Sequence, residues 1–160
     1  SFSLAWLTKE LYNEIKPSIR LQFILKRIEQ AKRSARNEDI QIRSSLSIEH
    51  IMPVSWEAHW PLSNGRIAKT SFDRFFEDET DHEADKRDQI IHTIGNLTLL
   101  TQPLNSSLQN APWSDKLRGI TKQSALAMNR EFSNFLIWDE DAIKARGREL
   151  LTHALEIWPR

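Results

Sequence analysis

The sequence predicts an α+β fold that is mostly α-helical, with the helices arranged around one small β-sheet. Apolar residues recur at helical spacing through residues 18–36 and again after Asp139, near the C-terminus. Between these segments, residues 44–51 and 97–101 have the alternation and composition of short strands. Because the strand segments are few and short, most of the core has to be formed by helices.

The N-terminal part predicts two helices separated by a proline. Residues 3–15 form the first helix, which stops near Pro17, and residues 18–36 form the second. Basic side chains gather toward the end of the second helix, where Arg33 and Arg36 are candidates for contact with a phosphate backbone. The alternative interpretation is an ordinary solvated helix face.

The middle of the chain predicts the first strand and then an irregular lobe. Leu46 and Ile48 alternate with polar residues, and Pro53 ends the strand. Residues 54–66 predict a structured loop that closes in an Asn-Gly turn. Residues 70–94 are charged with scattered apolar positions, which predicts one or two helices.

The last third predicts a second strand followed by helices. Gly95 is expected to end the preceding helix as a C-cap glycine, before the strand 97–101. Two short helices, 103–110 and 113–123, follow and are separated by Pro112. Asp139 is expected to be the N-cap of the final helix. The buried stripe predicted for that helix consists of Ile143, Gly147, Leu150, Leu151, Ala154, Ile157 and Trp158.

Length and composition limit the classes of protein and of metal site. The 160 residues and the absence of an internal linker predict one domain, 1–160. There is no cysteine, so disulfides and thiolate metal sites are excluded, and a hard cation such as Mg²⁺ or Mn²⁺ is favoured. No apolar run is long enough to span a membrane, and no signal peptide is visible. We therefore expect a cytoplasmic protein, and the missing initiator Met indicates a fragment of a longer chain.

Charge gives no general indication of a nucleic-acid partner. The chain has 22 basic and 22 acidic residues, so the basic excess typical of many DNA-binding domains is absent. Residues 73–88, with three basic and eight acidic side chains, form an acidic segment that suits a solvated face.

Three short segments contain residue types suited to phosphodiester hydrolysis. That reaction needs a base for the attacking water and a divalent cation to neutralise phosphate charge. Glu49 and His50 are adjacent at a strand end and point to opposite sides, so Glu49 can serve the metal while His50 accepts a proton from water. Asn105 can bring an amide oxygen to the same ion, and Asn96 can hold the loop after His50 through backbone hydrogen bonds.

The same segments resemble the HNH (His-Me finger) nucleases. The resemblance rests on Glu-His-Ile-Met-Pro at 49–53, Gly-Asn-Leu-Thr-Leu-Leu at 95–100, and an Asn nine residues after Asn96. It implies a β-hairpin and a helix that form a ββα-metal site binding one divalent cation. It also implies that His50 is the general base, that Glu49 and Asn105 are metal ligands, and that Asn96 fixes the loop carrying the base.

Most of the chain is similar to the C-terminal HNH domain of GmrSD-type, modification-dependent restriction enzymes and phage-defence nucleases. This likeness includes the run 92–100, the stretch 105–110, Pro-Trp-Ser-Asp-Lys at 112–116 and the closing helix. It implies double-stranded DNA as substrate and an N-terminal sensor/NTPase domain in the same protein. Two departures are Glu49, where many relatives have Asp, and the long stretch 54–94, which predicts an inserted lobe.

Other polar residues receive lesser roles. Lys116, Arg118 and Lys122 are candidates for phosphate contact, and His92 is expected to support the site or lie in the core. Asn110 is either a helix terminus or a supporting residue. Two alternatives to an active nuclease stay open: a catalytically inactive HNH-like DNA-binding or regulatory module, and a helical domain that only docks a partner domain.

Overall fold

The fold was analysed in a computed structural model, which describes residues 1–35 and 45–159. Within these residues the predicted α+β class is confirmed: helices enclose one two-stranded sheet. The elements are α1 (Phe2–Thr8), α2 (Leu11–Glu14), α3 (Ser18–Ala35), β1 (Leu46–His50), α4 (Ser71–Phe76), α5 (His82–Ile90), β2 (Leu97–Thr101), α6 (Gln102–Leu108), α7 (Trp113–Gln123), α8 (Ala127–Arg130) and α9 (Glu140–Ile157). Three short 3₁₀ turns, Trp56–Ala58, Ile94–Asn96 and Glu131–Asn134, connect them.

The sheet is a single antiparallel pair that places the end of β1 beside the start of β2. Leu46 lies opposite Thr101, and His50 lies opposite Leu97. Both predicted strands are therefore confirmed, with β1 ending at His50 ahead of Pro53. The chain then enters the lobe 54–94, which contains the predicted Asn-Gly turn, where Gly65 has a φ of 78°, and two helices.

The sheet lies between two apolar clusters, and β2 contributes to both. Leu97 and Leu99 pack with the buried face of α3 and with α9. Leu100 packs on the other side with Met52 and with the aromatic residues of the lobe and of the C-terminal third. Burying β2 on both faces fixes the position of β1, and with it the residues at its end.

The first helix predicted for residues 3–15 is wrong in one respect, because the structure has two helices there. Lys9 is extended, with φ −78° and ψ 144°, and this breaks the helix between α1 and α2. The break turns α2 so that the Tyr12 amide donates to the His92 carbonyl at 3.2 Å. A long-range contact, which local sequence does not encode, thus overrides helical periodicity.

The C-cap role predicted for Gly95 is also wrong. Helix α5 ends at Ile90, and Gly95 lies inside a later 3₁₀ turn. Glycine is required there by close packing, since a Cβ at this position would lie 2.0 Å from the carbonyl oxygen of Ile143 on α9. By contrast, Asp139 is the N-cap of α9 as predicted, accepting from the Ala142 amide at 2.9 Å.

The predicted burial of the C-terminal helix is confirmed for its central stripe. Ile143, Gly147, Leu150 and Ala154 are buried, whereas Trp158 is 37 % exposed. No helix among residues 1–35 and 45–159 is long and apolar enough to cross a bilayer.

Candidate active site

Glu49 and His50 stand at the end of β1 and direct their side chains to different neighbours. The His50 ring packs edge-on to Tyr12, with the ring centroids 4.4 Å apart, and its Nε2 lies 3.1 Å from Nδ1 of His92. The Glu49 carboxylate instead meets Lys116 and Asn105. Strand alternation therefore separates the imidazole from the carboxylate, as the sequence predicted.

The loop after His50 is held by Asn96, which is fully buried. Its Oδ1 accepts from the Met52 amide at 2.9 Å, and its Nδ2 donates to the Met52 carbonyl at 2.9 Å. The same amide group accepts from Nε1 of Trp138 at 3.0 Å and donates to the Ile91 carbonyl at 2.9 Å. All four hydrogen-bonding positions of the side chain are occupied, which is the arrangement that a loop-holding residue requires.

Asn105 lies on α6 next to the Glu49 carboxylate. Its Nδ2 donates to Oγ of Ser47 at 3.0 Å, and its amide lies close enough to Glu49 to lower the pKa of that carboxyl. Rotation of the amide by half a turn exchanges its nitrogen and oxygen and presents the oxygen on the Glu49 side. The structure thus brings the two predicted metal ligands together.

His50 is largely buried, and its pKa differs from the value expected for a free histidine. The residue is 8 % exposed. Burial, followed by electrostatic interaction with His92 and Lys116, lowers the pKa of His50 from 6.5 to about 3. At neutral pH the ring is therefore uncharged.

Lys116 does not occupy the surface position that a DNA contact requires. Its side chain is 0 % exposed, and its Nζ donates to Oε1 of Glu49 at 3.1 Å and to the His50 carbonyl at 2.9 Å. Burial raises the pKa of Glu49, and Lys116 and Asn105 oppose that increase. The helical spacing of Lys116 and the buried Ile120 was the available sign that this lysine faces inward.

The other predicted residues lie at different places. Arg118 and Lys122 are exposed on α7, with Arg118 paired to Asp115 at 3.0 Å. Arg33 lines a cleft beside Ser45 and Leu46, at the opposite end of β1 from His50. Asn110 is exposed in the turn between α6 and α7, and Arg36 lies outside the described residues.

Sequence reasoning missed three residues that shape the site. Tyr12, the only tyrosine of the chain, covers one side of the His50 ring. Lys16 places its ammonium 4.7 Å from the centre of the Tyr12 ring. Arg146 donates to the carbonyls of Gly95 and Leu97 at 2.9 and 2.6 Å, which fixes the turn that carries Asn96. Tyr12 and Arg146 act across a large separation in sequence, and Lys16 is connected to the site only through Tyr12, so no local motif contains any of the three.

The donor set suits a hard divalent cation with incomplete protein ligation. Among residues 1–35 and 45–159, no three His, Asp or Glu side chains converge on one point. One carboxylate and one amide remain beside each other, and Mg²⁺ is commonly held by one or two carboxylates together with water and phosphate oxygens. Glu49 and Asn105 are therefore the residues that could hold such a cation.

These features define a class of mostly helical domains with a histidine site at the end of a two-stranded sheet. Over residues 1–153 the chain matches the family described as GmrSD restriction endonucleases, C-terminal domain, and it belongs to that family. It is accordingly a restriction endonuclease domain. No curated protein and no solved structure matches it.

Proposed function

We propose that this domain is a metal-dependent DNA endonuclease of the HNH type, with His50 as the general base. The observation that supports this proposal is the set of residues at the end of β1: His50 on one side, Glu49 beside Asn105 on the other, and Asn96 holding the next loop. A single site of this kind hydrolyses one strand per event, so nicking is the elementary reaction.

His50 is in the proton-accepting form at neutral pH, as a general base must be. Its low pKa makes it a weak proton acceptor in the free domain. A DNA phosphate placed beside the ring adds negative charge, which favours the imidazolium and raises the pKa toward the useful range. His92, at 3.1 Å from Nε2, holds the ring orientation while this occurs.

One divalent cation, Mg²⁺ or Mn²⁺, would be held by Glu49 and Asn105. When bound, such an ion neutralises charge on the phosphate and on the leaving oxygen. Because strand alternation directs Glu49 and His50 to different sides, the imidazole does not bind the ion. It can therefore accept a proton from the attacking water.

The family supports a proposal for the wider setting. We propose that double-stranded DNA is the substrate, that Arg118 and Lys122 contact its backbone, and that an N-terminal sensor/NTPase domain of the same protein controls cutting in a cytoplasmic anti-phage defence. We further propose that residues 1–160 form one domain, since Nε1 of Trp6 on α1 donates to the Gly147 carbonyl on α9 at 3.3 Å.

Cleavage of supercoiled plasmid tests the activity directly. The wild-type domain should convert supercoiled DNA to nicked circles in Mg²⁺ or Mn²⁺ and should do nothing in EDTA. His50→Ala should abolish nicking, whereas His82→Ala, which removes an exposed histidine far along the chain, should leave it unchanged. Equal nicking by His50→Ala and the wild type would refute the mechanism.

The burial of the site favours a second candidate, a catalytically inactive module that binds DNA. Tyr12 packs on His50 and Lys116 already pairs with Glu49, so the free domain presents little of either group. Metal-independent DNA binding in a shift assay, together with no nicking in Mn²⁺, would favour this candidate.

A further inference from the structure

Lys116 is a buried cation connected to both halves of the candidate site. It projects from α7 with a side chain that is 0 % exposed. Its Nζ lies 3.1 Å from Oε1 of Glu49 and 2.9 Å from the His50 carbonyl oxygen. One ammonium group therefore contacts the proposed metal-binding carboxylate and the backbone of the proposed base.

Packing alone does not explain a lysine at this position. Removing an ammonium from water is costly, and apolar side chains that replace both members of a buried ion pair commonly cause no loss of stability. Methionine would fill the same volume next to Ile120 and the rest of the buried face of α7. The charge itself is thus the property that distinguishes Lys116 from a core residue.

The charge balance at the site has a direct consequence for cation binding. Glu49 contributes one negative charge and Lys116 one positive charge, so the pair is neutral. No cluster of three His, Asp or Glu residues adds to it within the described ranges, 1–35 and 45–159. A divalent cation on Glu49 therefore meets a repelling ammonium and no surplus of negative charge, until a phosphate arrives.

We propose that Lys116 is a positioning residue that makes cation binding depend on DNA. It anchors Glu49 and the end of β1 in the free domain, and it keeps the affinity for a divalent cation low until a DNA phosphate supplies the missing negative charge. Because binding free energies are reciprocal, the cation then tightens DNA binding by the same factor. This inference rests on the proposed function and adds the condition under which the site binds a divalent cation.

Mn²⁺ binding measured by electron paramagnetic resonance tests the inference without relying on turnover. The wild-type domain should bind Mn²⁺ about tenfold more tightly, or better, when it is saturated with a short phosphorothioate duplex that resists cleavage. Lys116→Met should bind Mn²⁺ about tenfold more tightly than the wild type in the absence of DNA, since the repelling charge is gone. Lys86→Met, which removes an exposed lysine on α5, should match the wild type.

The possible outcomes separate this inference from the proposed function. If folded Lys116→Met binds Mn²⁺ in the absence of DNA no better than the wild type, Lys116 does not tune the site and the inference is wrong. If Lys116→Met fails to fold, the wild-type comparison decides, because a Mn²⁺ affinity unaffected by DNA overturns the inference. In either case, nicking that depends on Mn²⁺ and His50 would leave the proposed function standing. Absence of Mn²⁺ binding both with and without DNA overturns both.

Discussion

Lowering the pH from about 8 to about 5 should destabilise the folded domain by about 2 kcal/mol through His50 alone. The unfolded chain takes up a proton near the ordinary histidine pKa of 6.5, whereas the folded pKa is about 3. Stability due to this group is thus fully present above 6.5 and is lost as the pH falls from 6.5 toward 3. At about pH 5 the loss covers about 1.5 pH units at about 1.4 kcal/mol each.

The magnitude does not depend on the exact folded pKa. Any value well below 5 leaves the folded ring uncharged at that pH, so the loss is set by the distance from 6.5 alone. The estimate applies to His50 because the residue is only 8 % exposed, which leaves little solvent screening.

Urea unfolding followed by tryptophan fluorescence can isolate this contribution. The free energy of unfolding is measured at both pH values for the wild type and for His50→Gln, which cannot titrate there. The wild type should lose about 2 kcal/mol more than the variant, while other groups with raised pKa values, such as Glu29, cancel in the comparison. An excess loss below about 0.5 kcal/mol would show that the ring is not buried as described.

Three further predictions concern the turn before β2 and the base. Gly95→Ala should give no stably folded domain, because its Cβ would lie 2.0 Å from the Ile143 carbonyl oxygen. The control Gly65→Ala should reduce the free energy of unfolding in urea by only about 1 kcal/mol. A folded Gly95→Ala protein of wild-type stability would contradict the packing described for Gly95. In the same assay, Asn96→Ala should reduce the free energy of unfolding by about 3 kcal/mol or more, because it leaves buried backbone groups without partners. A reduction below about 1 kcal/mol would contradict this prediction. The kcat/KM for nicking should stay nearly constant from about pH 8 to about pH 5.5. The pH dependence of kcat/KM reports pKa values of the free enzyme, and the pKa of His50 there is about 3. A fall of about tenfold, as expected for a histidine with an ordinary pKa, would contradict this prediction.

Local patterns predicted the elements that carry the site, and long-range contacts account for what they missed. The alternation around Leu46 and Ile48 predicted β1, and the capping side chain of Asp139 predicted the start of α9, because both signals lie within a few residues. The break at Lys9 and the packing role of Gly95 were not predictable in this way. They depend on His92 and on α9, which are distant in sequence.

The site itself was predicted in part for the same reason. Glu49 and His50 had to point apart because adjacent strand residues do, and the structure agrees. The depth of burial was missed, since it comes from Tyr12 packing on the ring across the fold. Lys116 was assigned to the surface because lysine is seldom fully buried, and only its pairing with Glu49 explains the exception.

The saturated hydrogen bonding of Asn96 has a consequence for how the domain opens. One carboxamide joins Met52, Ile91 and Trp138, so none of the three segments can separate without breaking a hydrogen bond to a fully buried group. Local fraying exposes amide protons in loops with few contacts, and the loop that contains Met52 is therefore not expected to open in this way. In native-state hydrogen exchange, we therefore expect the Met52 amide to exchange with the slowest cooperative unit, although it lies in a connection between elements.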